Sequence, residues 1–420
     1  MGAPRVGIIT VGDEILDGRI VNTNASWLAA TLAAQGFDLP FHLSVGDAPG
    51  QLAGVLLSPP SPVEALLITG GLGPTEDDRT RSEMAQAAGV SLELREPAWS
   101  HIQEYLQKRG VHPVASNRRQ AYFPHGAVEI PNPFGSAPAF LLRRGGQSWW
   151  ALPGVPAELA GLLENPVLAM LKKEHPVAAF EEVEVLRFFG VPESRLDHWL
   201  TPQISPSARA RLHFRVQQGE IEVRLPPGVS LLEAARQKFG PLCLGLGDTD
   251  LATRVVREYQ AKGWRIVTVE SCTGGLVGAR LTSVAGASDI YLGGWVVYSN
   301  DFKEQLLGLE PELLAQHGTV SALVAYHLAH QARSRSRAHA AVAITGIAGP
   351  GGGSREKPVG TTFLAVAGEA GEYWQRRVFP GDRQRIRSLA ASSALLALLC
   401  QARGEPPPGW EAGIPSSSSA

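Results

Sequence analysis

Short apolar runs alternate along the chain with longer stretches whose apolar residues recur every three or four positions, and these two periods mark buried strands and amphipathic helices. VGIIT (6–10) reads as a buried strand, and ALLITGG (65–71) as a second that runs directly into glycine. Between them, NTNASWLAATLAAQG places Trp27, Leu28, Thr31 and Leu32 on one helical face, with Gly36 suited to the C-terminal cap. EVEVLRFFG and RLHFRVQQGEIEVRL alternate as strands do, and Glu193 to Leu200 carries a helix. A further helix over Asp250 to Lys262 turns Leu251, Val255, Val256 and Tyr259 one way. RIVTV, GGWVVYS, AAVAIT, TTFLAVAG and EYWQRRVF then read as strands, with helices between several of them. Such alternation predicts α/β layers. The closing GEPPPGWEAGIPSSSSA has no apolar period and reads as a disordered tail.

The 420 residues are enough for two or three domains with cores of their own. The chain divides into 1–168, a smaller α+β unit at 169–247, a third domain at 248–403 and the tail at 404–420. A formal net charge of -2 gives no global field for nucleic acid or an anionic membrane, so neither is expected as a partner. Cys243, Cys272 and Cys400 are too scattered for a disulfide framework or a zinc site, which points to a reducing compartment. No apolar run reaches the ~20 residues of a membrane span, and no signal segment precedes VGIITVG. A cytoplasmic location is expected.

Chemistry concentrates first at Val269-Glu270-Ser271-Cys272-Thr273-Gly274-Gly275, where a strand ends and a helix begins. The first amides of such a helix favour a phosphate or a developing oxyanion. A hydroxyl held there can attack a carbonyl if a base takes its proton; Ser271 or Thr273 would equally serve as a plain helix cap. Tyr298-Ser299-Asn300 closes another strand, and Lys303 follows one short turn later. Thr345-Gly346-Ile347-Ala348-Gly349-Pro350-Gly351 opens a glycine loop whose backbone can approach a ligand closely. Arg383 and Arg387 begin the last long helix and suit a phosphate. Cys272 is a rival nucleophile, because a thiol at a helix start can be activated, but it has no evident histidine partner in these motifs.

VESCTGG, GGWVVYSNDFK, HGTVSA, ITGIAGPGGGS, KPVGT and FPGDR, in this order over residues 249–402, resemble the amidohydrolase domain of the CinA family. The resemblance implies a Ser–Lys amidase, needing no cofactor, that converts nicotinamide mononucleotide (NMN) to nicotinate mononucleotide and ammonia. It makes Ser271 the nucleophile, Lys303 the general base and Tyr298 an orienting group. Glu270, Thr273, Gly274, Gly275, Asn300, Thr345, Gly346, Gly349, Pro350, Gly351, Arg383 and Arg387 would line the substrate. An ordinary lysine, with pKa ~10.4, is protonated at neutral pH, so burial or a helix's positive end has to lower it. Arg355 departs from the family's usually acidic residue in the loop.

The second concentration is Thr69-Gly70-Gly71-Leu72-Gly73-Pro74-Thr75-Glu76-Asp77-Asp78 after a strand. Its glycines can expose amides to a phosphate, and Asp77 and Asp78 can hold a divalent cation; a tight turn with solvated acids would read the same way locally. With GDEILDGRIVNTN, PNPFGSAPAF and LPGVPAEL, this loop resembles the MoaB/MogA-like, molybdopterin-binding-type domain at the front of CinA proteins, over residues 4–165. The resemblance implies metal-dependent hydrolysis of ADP-ribose to AMP and ribose 5-phosphate, the metal on Asp77 and Asp78. Glu14, Asn24, Gly70, Gly71, Gly73, Pro74 and Thr75 would shape the pocket, with Asn117 or Arg118 reaching the phosphates. Arg79 stands where an apolar residue is expected.

FFGVPESRLDHWL and the hairpin after it resemble the KH-like connecting domain of full-length CinA proteins. Gly190-Val191-Pro192-Glu193 lacks the second glycine of a nucleic-acid clamp, so this unit is read as structural, and His198 and His213 as ordinary surface or core groups. The whole chain is thus expected to be two α/β domains joined by a small α+β unit, and a homodimer like its relatives. Two other classes compete: a molybdopterin-binding or cofactor-assembly protein, and a non-catalytic partner in competence or DNA damage.

Overall fold

The computed structural model describes residues 3–177, 183–217, 219–247 and 249–416. The chain forms two compact units, Met1–Phe180 and Glu181–Ala420. No helix among the described residues is long and apolar enough to cross a membrane.

In the first unit, β1 (Val6–Val11), α1 (Thr23–Ala34), β2 (His42–Val45), α2 (Gln51–Leu57), β3 (Ala65–Thr69) and α3 (Thr80–Ala88) come in turn. After them come β4 (Val128–Ile130), β5 (Ala139–Arg144) and β6 (Gln147–Leu152). They build one sheet in the order β2-β1-β3-β6-β5-β4. Strands β1, β2, β3 and β6 run parallel, and β5 and β4 return antiparallel. Because a strand points successive side chains to opposite faces, Val6 and Ile8 join one buried cluster while Ile9 and Val11 join the other. Helix α1 lays Leu28 and Leu32 onto the first of these, as its period predicts, and Asn22 caps it by accepting from the Ala25 amide at 3.0 Å.

The second unit opens with a four-stranded antiparallel sheet, ordered β8-β9-β7-β10. Its strands are β7 (Val185–Phe189), β8 (His213–Gln217), β9 (Glu220–Arg224) and β10 (Cys243–Leu246), with α4 (Glu193–Leu200) and α5 (Leu232–Phe239) between them. Next follow α6 (Leu251–Lys262), β11 (Ile266–Glu270), α7 (Leu276–Thr282), β12 (Tyr291–Val296), α8 (Asn300–Leu307) and α9 (Ala322–Ser336). The unit closes with β13 (Ala340–Gly346), β14 (Thr361–Gly368), β15 (Gly371–Val378), α10 (Arg383–Arg403) and β16 (Glu411–Ala412). Its larger sheet has the order β12-β11-β13-β14-β15-β16, parallel through β12, β11 and β13 and antiparallel beyond.

Buried charge ties the small sheet to the larger one. Arg187 on β7 pairs with Glu220 and Glu222 on β9 at 3.6 and 3.0 Å, and Arg280 on α7 reaches Glu220 at 3.5 Å. Phe189 and Leu244 of the small sheet also pack into the same hydrophobic cluster as α6 and α10.

Two expectations need correction. GGWVVYS was read as strand through residue 299, but the strand ends at Val296 because the Ser299 hydroxyl accepts from the Phe302 amide and caps α8. The stretch 404–420 was read as disordered, yet β16 pairs with Tyr373 and Trp374 on β15, and Gln375 donates to the Gly409 carbonyl at 2.6 Å. A two-residue pairing carries no period that a sequence scan could register; residues 417–420 lie outside the described residues.

Candidate active sites

In the larger sheet of the second unit, the first strand, β11, lies between β12 and β13. The chain therefore leaves β11 in one direction and later returns on its other side. A crevice opens outside the carboxyl ends of parallel strands at such a switch point. Ser271 follows β11 directly, donating its amide to the Ile344 carbonyl at 3.0 Å, while the Val297 amide reaches the Glu270 carbonyl at 2.9 Å. Three strand ends thus deliver the serine segment, the Tyr298–Lys303 segment and the glycine loop to one place.

Side chains close this arrangement. Arg383, first in α10, donates to the Gly349 carbonyl at 2.7 Å and to the Tyr298 hydroxyl at 2.9 Å. Arg387, one turn onward, donates to the Thr273 carbonyl at 2.7 Å. Gly274 and Gly275 hold φ of 61° and 92°, a conformation costly for side chains with a Cβ. They bring the chain from Ser271 into α7 within a few residues.

Lys303 lies in the first turn of α8 and is 2% exposed. Its Nζ donates to the Ser299 carbonyl at 3.2 Å, and no carboxylate lies within ion-pairing distance of it among the described residues. Burial therefore lowers its pKa from the ordinary 10.5. Cys272 is buried in the hydrophobic cluster under α10, and burial pushes its thiol up to about 12. A thiol so placed is not a nucleophile at neutral pH. Ser271 remains, and its Oγ has no hydrogen-bond partner among the described residues.

Two residues expected to line the substrate are turned elsewhere. Glu270, 1% exposed, accepts from the Val277 and Gly278 amides at 3.1 and 2.9 Å. It caps α7 from beneath, because the first turn of that helix has no other acceptor for those donors. Thr345 is buried and donates to the Thr319 carbonyl at 2.7 Å. Asn300 is exposed at the start of α8, while Gly346, Gly351 and Pro350 shape the loop that Arg383 holds.

The first unit repeats the plan. Its first strand, β1, lies between β2 and β3, and a cavity of about 530 Å³ opens at their carboxyl ends. Glu14, Asn24, Gly70, Gly71, Gly73, Pro74 and Asp78 line it. Gly70 is required there, since a Cβ would stand 2.3 Å from the Val11 carbonyl oxygen. Gly73 likewise leaves room for the Asp78 carboxylate, 2.3 Å from where its Cβ would be. Asn24 donates to the Gly154 carbonyl at 2.7 Å.

Asn117 and Arg118 do not join this cavity. Asn117 accepts from the Val114 amide at 2.9 Å and Arg118 pairs with Glu96 at 3.4 Å. They belong to a 3-10 turn, Ala115–Ala121, in which Gln120 lines the cavity and Arg119 pairs with Glu76 at 3.1 Å. Thr10, Thr69, Ser136 and Glu158 also line the cavity; the last three fall within the motifs quoted above but were not named as pocket residues.

Thr75 lies outside the cavity; its amide and hydroxyl both donate to Asp78 Oδ2. Hydrogen bonding within the same loop holds the exposed Asp77 carboxyl below the usual range. No group of three His, Cys, Asp or Glu gathers as a metal-binding set among the described residues. Asp78 lines the cavity, whereas Asp77 is exposed and does not; an ion held at Asp78 would complete its shell with water and substrate phosphate, as magnesium does.

Residues 248–401 match the family model described as "CinA C-terminal domain", and residues 7–173 match "Probable molybdopterin binding domain". A CinA-like protein of Anaeromyxobacter dehalogenans is 41% identical over 404 residues, covering 93% of this chain and 98% of that one. One from Geobacter sp. is 38% identical, covering 93% and 96%. The crystal structure of a competence/damage-inducible protein from Agrobacterium tumefaciens is 43% identical over 36% of this chain and 93% of its own, with a TM-score of 0.35.

Proposed function

The chain belongs to the CinA family, and from that premise we propose that its second unit hydrolyses the amide of NMN. The observation that carries this reading is a buried, unpaired Lys303 delivered to the same switch point as the unengaged Ser271 hydroxyl. In its free-base form Lys303 takes the Ser271 proton as Oγ attacks the carboxamide carbon. The C–N bond then breaks, Lys303 returns the proton to the leaving ammonia, and an acyl-enzyme remains. Water, deprotonated by the same amine, releases the carboxylate product and frees Ser271. Arg383 and Arg387, each held by a backbone carbonyl, offer their remaining N–H groups to the phosphate.

The test is ammonia and nicotinate mononucleotide release from NMN. Ser271→Ala and Lys303→Ala should each lower kcat at least ~10³-fold, as for groups that act as one unit. Full activity in Ser271→Ala would remove the serine from this role.

For the first unit the proposed activity is hydrolysis of ADP-ribose to AMP and ribose 5-phosphate in the 530 Å³ cavity, whose size suits a nucleotide-scale ligand. Asp78, with Asp77 beside it in the loop, would hold a divalent ion, which would neutralise phosphate charge and activate a water. Asn24 and the glycine backbone from Gly71 to Gly73 orient the ligand. The competing reading, favoured by the description of the matching family model, is molybdopterin binding. Thermal unfolding of the chain with each compound and several divalent ions separates the two, since only a bound ligand raises Tm. AMP release decides whether the cavity is catalytic.

A further inference from the structure

The 530 Å³ cavity of the first unit is lined by three carboxylates, Glu14, Asp78 and Glu158, and by no lysine, arginine or histidine among the described residues. Such a lining repels phosphate wherever no cation intervenes and favours groups that donate hydrogen bonds. Glu158 enters it from the helix Pro156–Leu162 that follows β6, and makes no ion pair among the described residues.

Asn132 holds this carboxylate. It is fully buried, and both ends of its amide are engaged. Oδ1 accepts from the Phe134 and Gly135 amides at 3.0 and 3.1 Å, while Nδ2 donates to the Ala137 carbonyl at 2.9 Å and to Glu158 Oε2 at 2.8 Å. A side-chain amide with both lone pairs and both hydrogens used has one orientation, so it presents a fixed donor. Gly135 supplies the room, since a Cβ there would stand 1.8 Å from Glu158 Oε2 and 2.4 Å from Oε1. Oε1 accepts from no described residue. One oxygen thus fixes the carboxylate and the other is left without a partner.

We propose that Glu158 reads a ribose of the ligand, its Oε1 accepting from a hydroxyl of the vicinal pair, with Asn132 and Gly135 as positioning residues. This rests on the reading that the cavity takes ADP-ribose, whose adenosine ribose and terminal ribose carry the same diol. A carboxylate on a ribose hydroxyl is how dinucleotide sites recognise an unphosphorylated sugar. A phosphate ester at that hydroxyl would set like charges together, and a missing hydroxyl would leave Oε1 desolvated without a donor. Sugars of both kinds are therefore discriminated against.

The full chain, with magnesium chloride present, is titrated calorimetrically with the methylene-bridged analogue of ADP-ribose, which cannot be cleaved at its pyrophosphate. Two further analogues each lack both vicinal hydroxyls on one of the two riboses. One of them should bind roughly tenfold more weakly than the parent, and identifies the ribose that is read. In Glu158→Ala the parent and that analogue should bind alike, whereas a role confined to folding would weaken both and keep their ratio. Gly135→Ala, which displaces the carboxylate without removing it, should narrow the same ratio; thermal unfolding verifies that both variants are folded. Equal binding of all three compounds to the wild type, or a ratio kept in Glu158→Ala, overturns the role of Glu158 and leaves the ADP-ribose reading standing. Absence of parent binding overturns the proposal, and AMP release from ADP-ribose then tells whether that reading falls with it.

Discussion

The chemistry proposed for the second unit rests on burial acting oppositely on two neighbours. Low dielectric disfavours whichever form is charged, so it lowers the Lys303 ammonium and raises the Cys272 thiol. Amidase kcat/KM should therefore climb with pH through the lowered lysine pKa and level above it; a profile flat between pH 6 and 10 would exclude Lys303 as base. Stability obeys the same sign. Over the window between the lowered folded pKa and 10.5 the unfolded chain holds more protons, so the penalty is full below that window and gone above it. Lys303→Met should thus unfold at higher urea than wild type at pH 6, with the gain vanishing near pH 10.5. Cys272→Ala should keep NMN hydrolysis within about threefold, because a protonated thiol contributes no nucleophile; a hundredfold loss would restore the cysteine as a candidate.

Elements were legible where their own residues repeat a period. Val342 and Ile344 on β13 face one cluster, Ala341 and Ala343 the other, and the unbroken run of β14 has both faces covered. Helix α6 keeps Leu251, Val255, Val256 and Tyr259 inward, with Asp250 capping through the Thr253 amide at 2.9 Å. Glu270 shows where such reading stops. Its place beside Ser271 marks it for substrate, but the cap is set by the turn through Gly274 and Gly275, which brings the Val277 and Gly278 amides back over the carboxylate, a geometry that apolar periodicity does not register. Glu270→Ala removes the acceptor of two buried amides and should cost about 2–4 kcal/mol in urea unfolding. Gln120 and Arg119 were passed over for their neighbours for a related reason: the shape of one short turn decided which side chains face the loop. Glu158 and Ser136 reach the same cavity from distant segments, and only the packed fold brings them there.

One plan occurs twice in the whole molecule. In each unit the first strand of the large sheet separates the second from the third, and the catalytic candidates collect at the carboxyl end of that strand. Family membership and the alternation of strands and helices announced the layers; the ion group that joins the small sheet to the larger one was invisible until Arg187, Glu220 and Arg280 were seen together. The short strand after α10 has a consequence for solution behaviour. An uncovered strand offers its free N–H and C=O groups to any passing chain, and proteins resist such sticking by blunting their outer strands. β16 and the Gly409 contact cover part of β15, whose outer end still shows Val378 at 52% exposure. A chain ending at Gly404 should retain NMN hydrolysis when freshly diluted but form larger particles on concentration, seen by light scattering. Larger particles from the shortened chain would give residues 405–416 a duty separate from either proposed reaction, that of keeping chains apart.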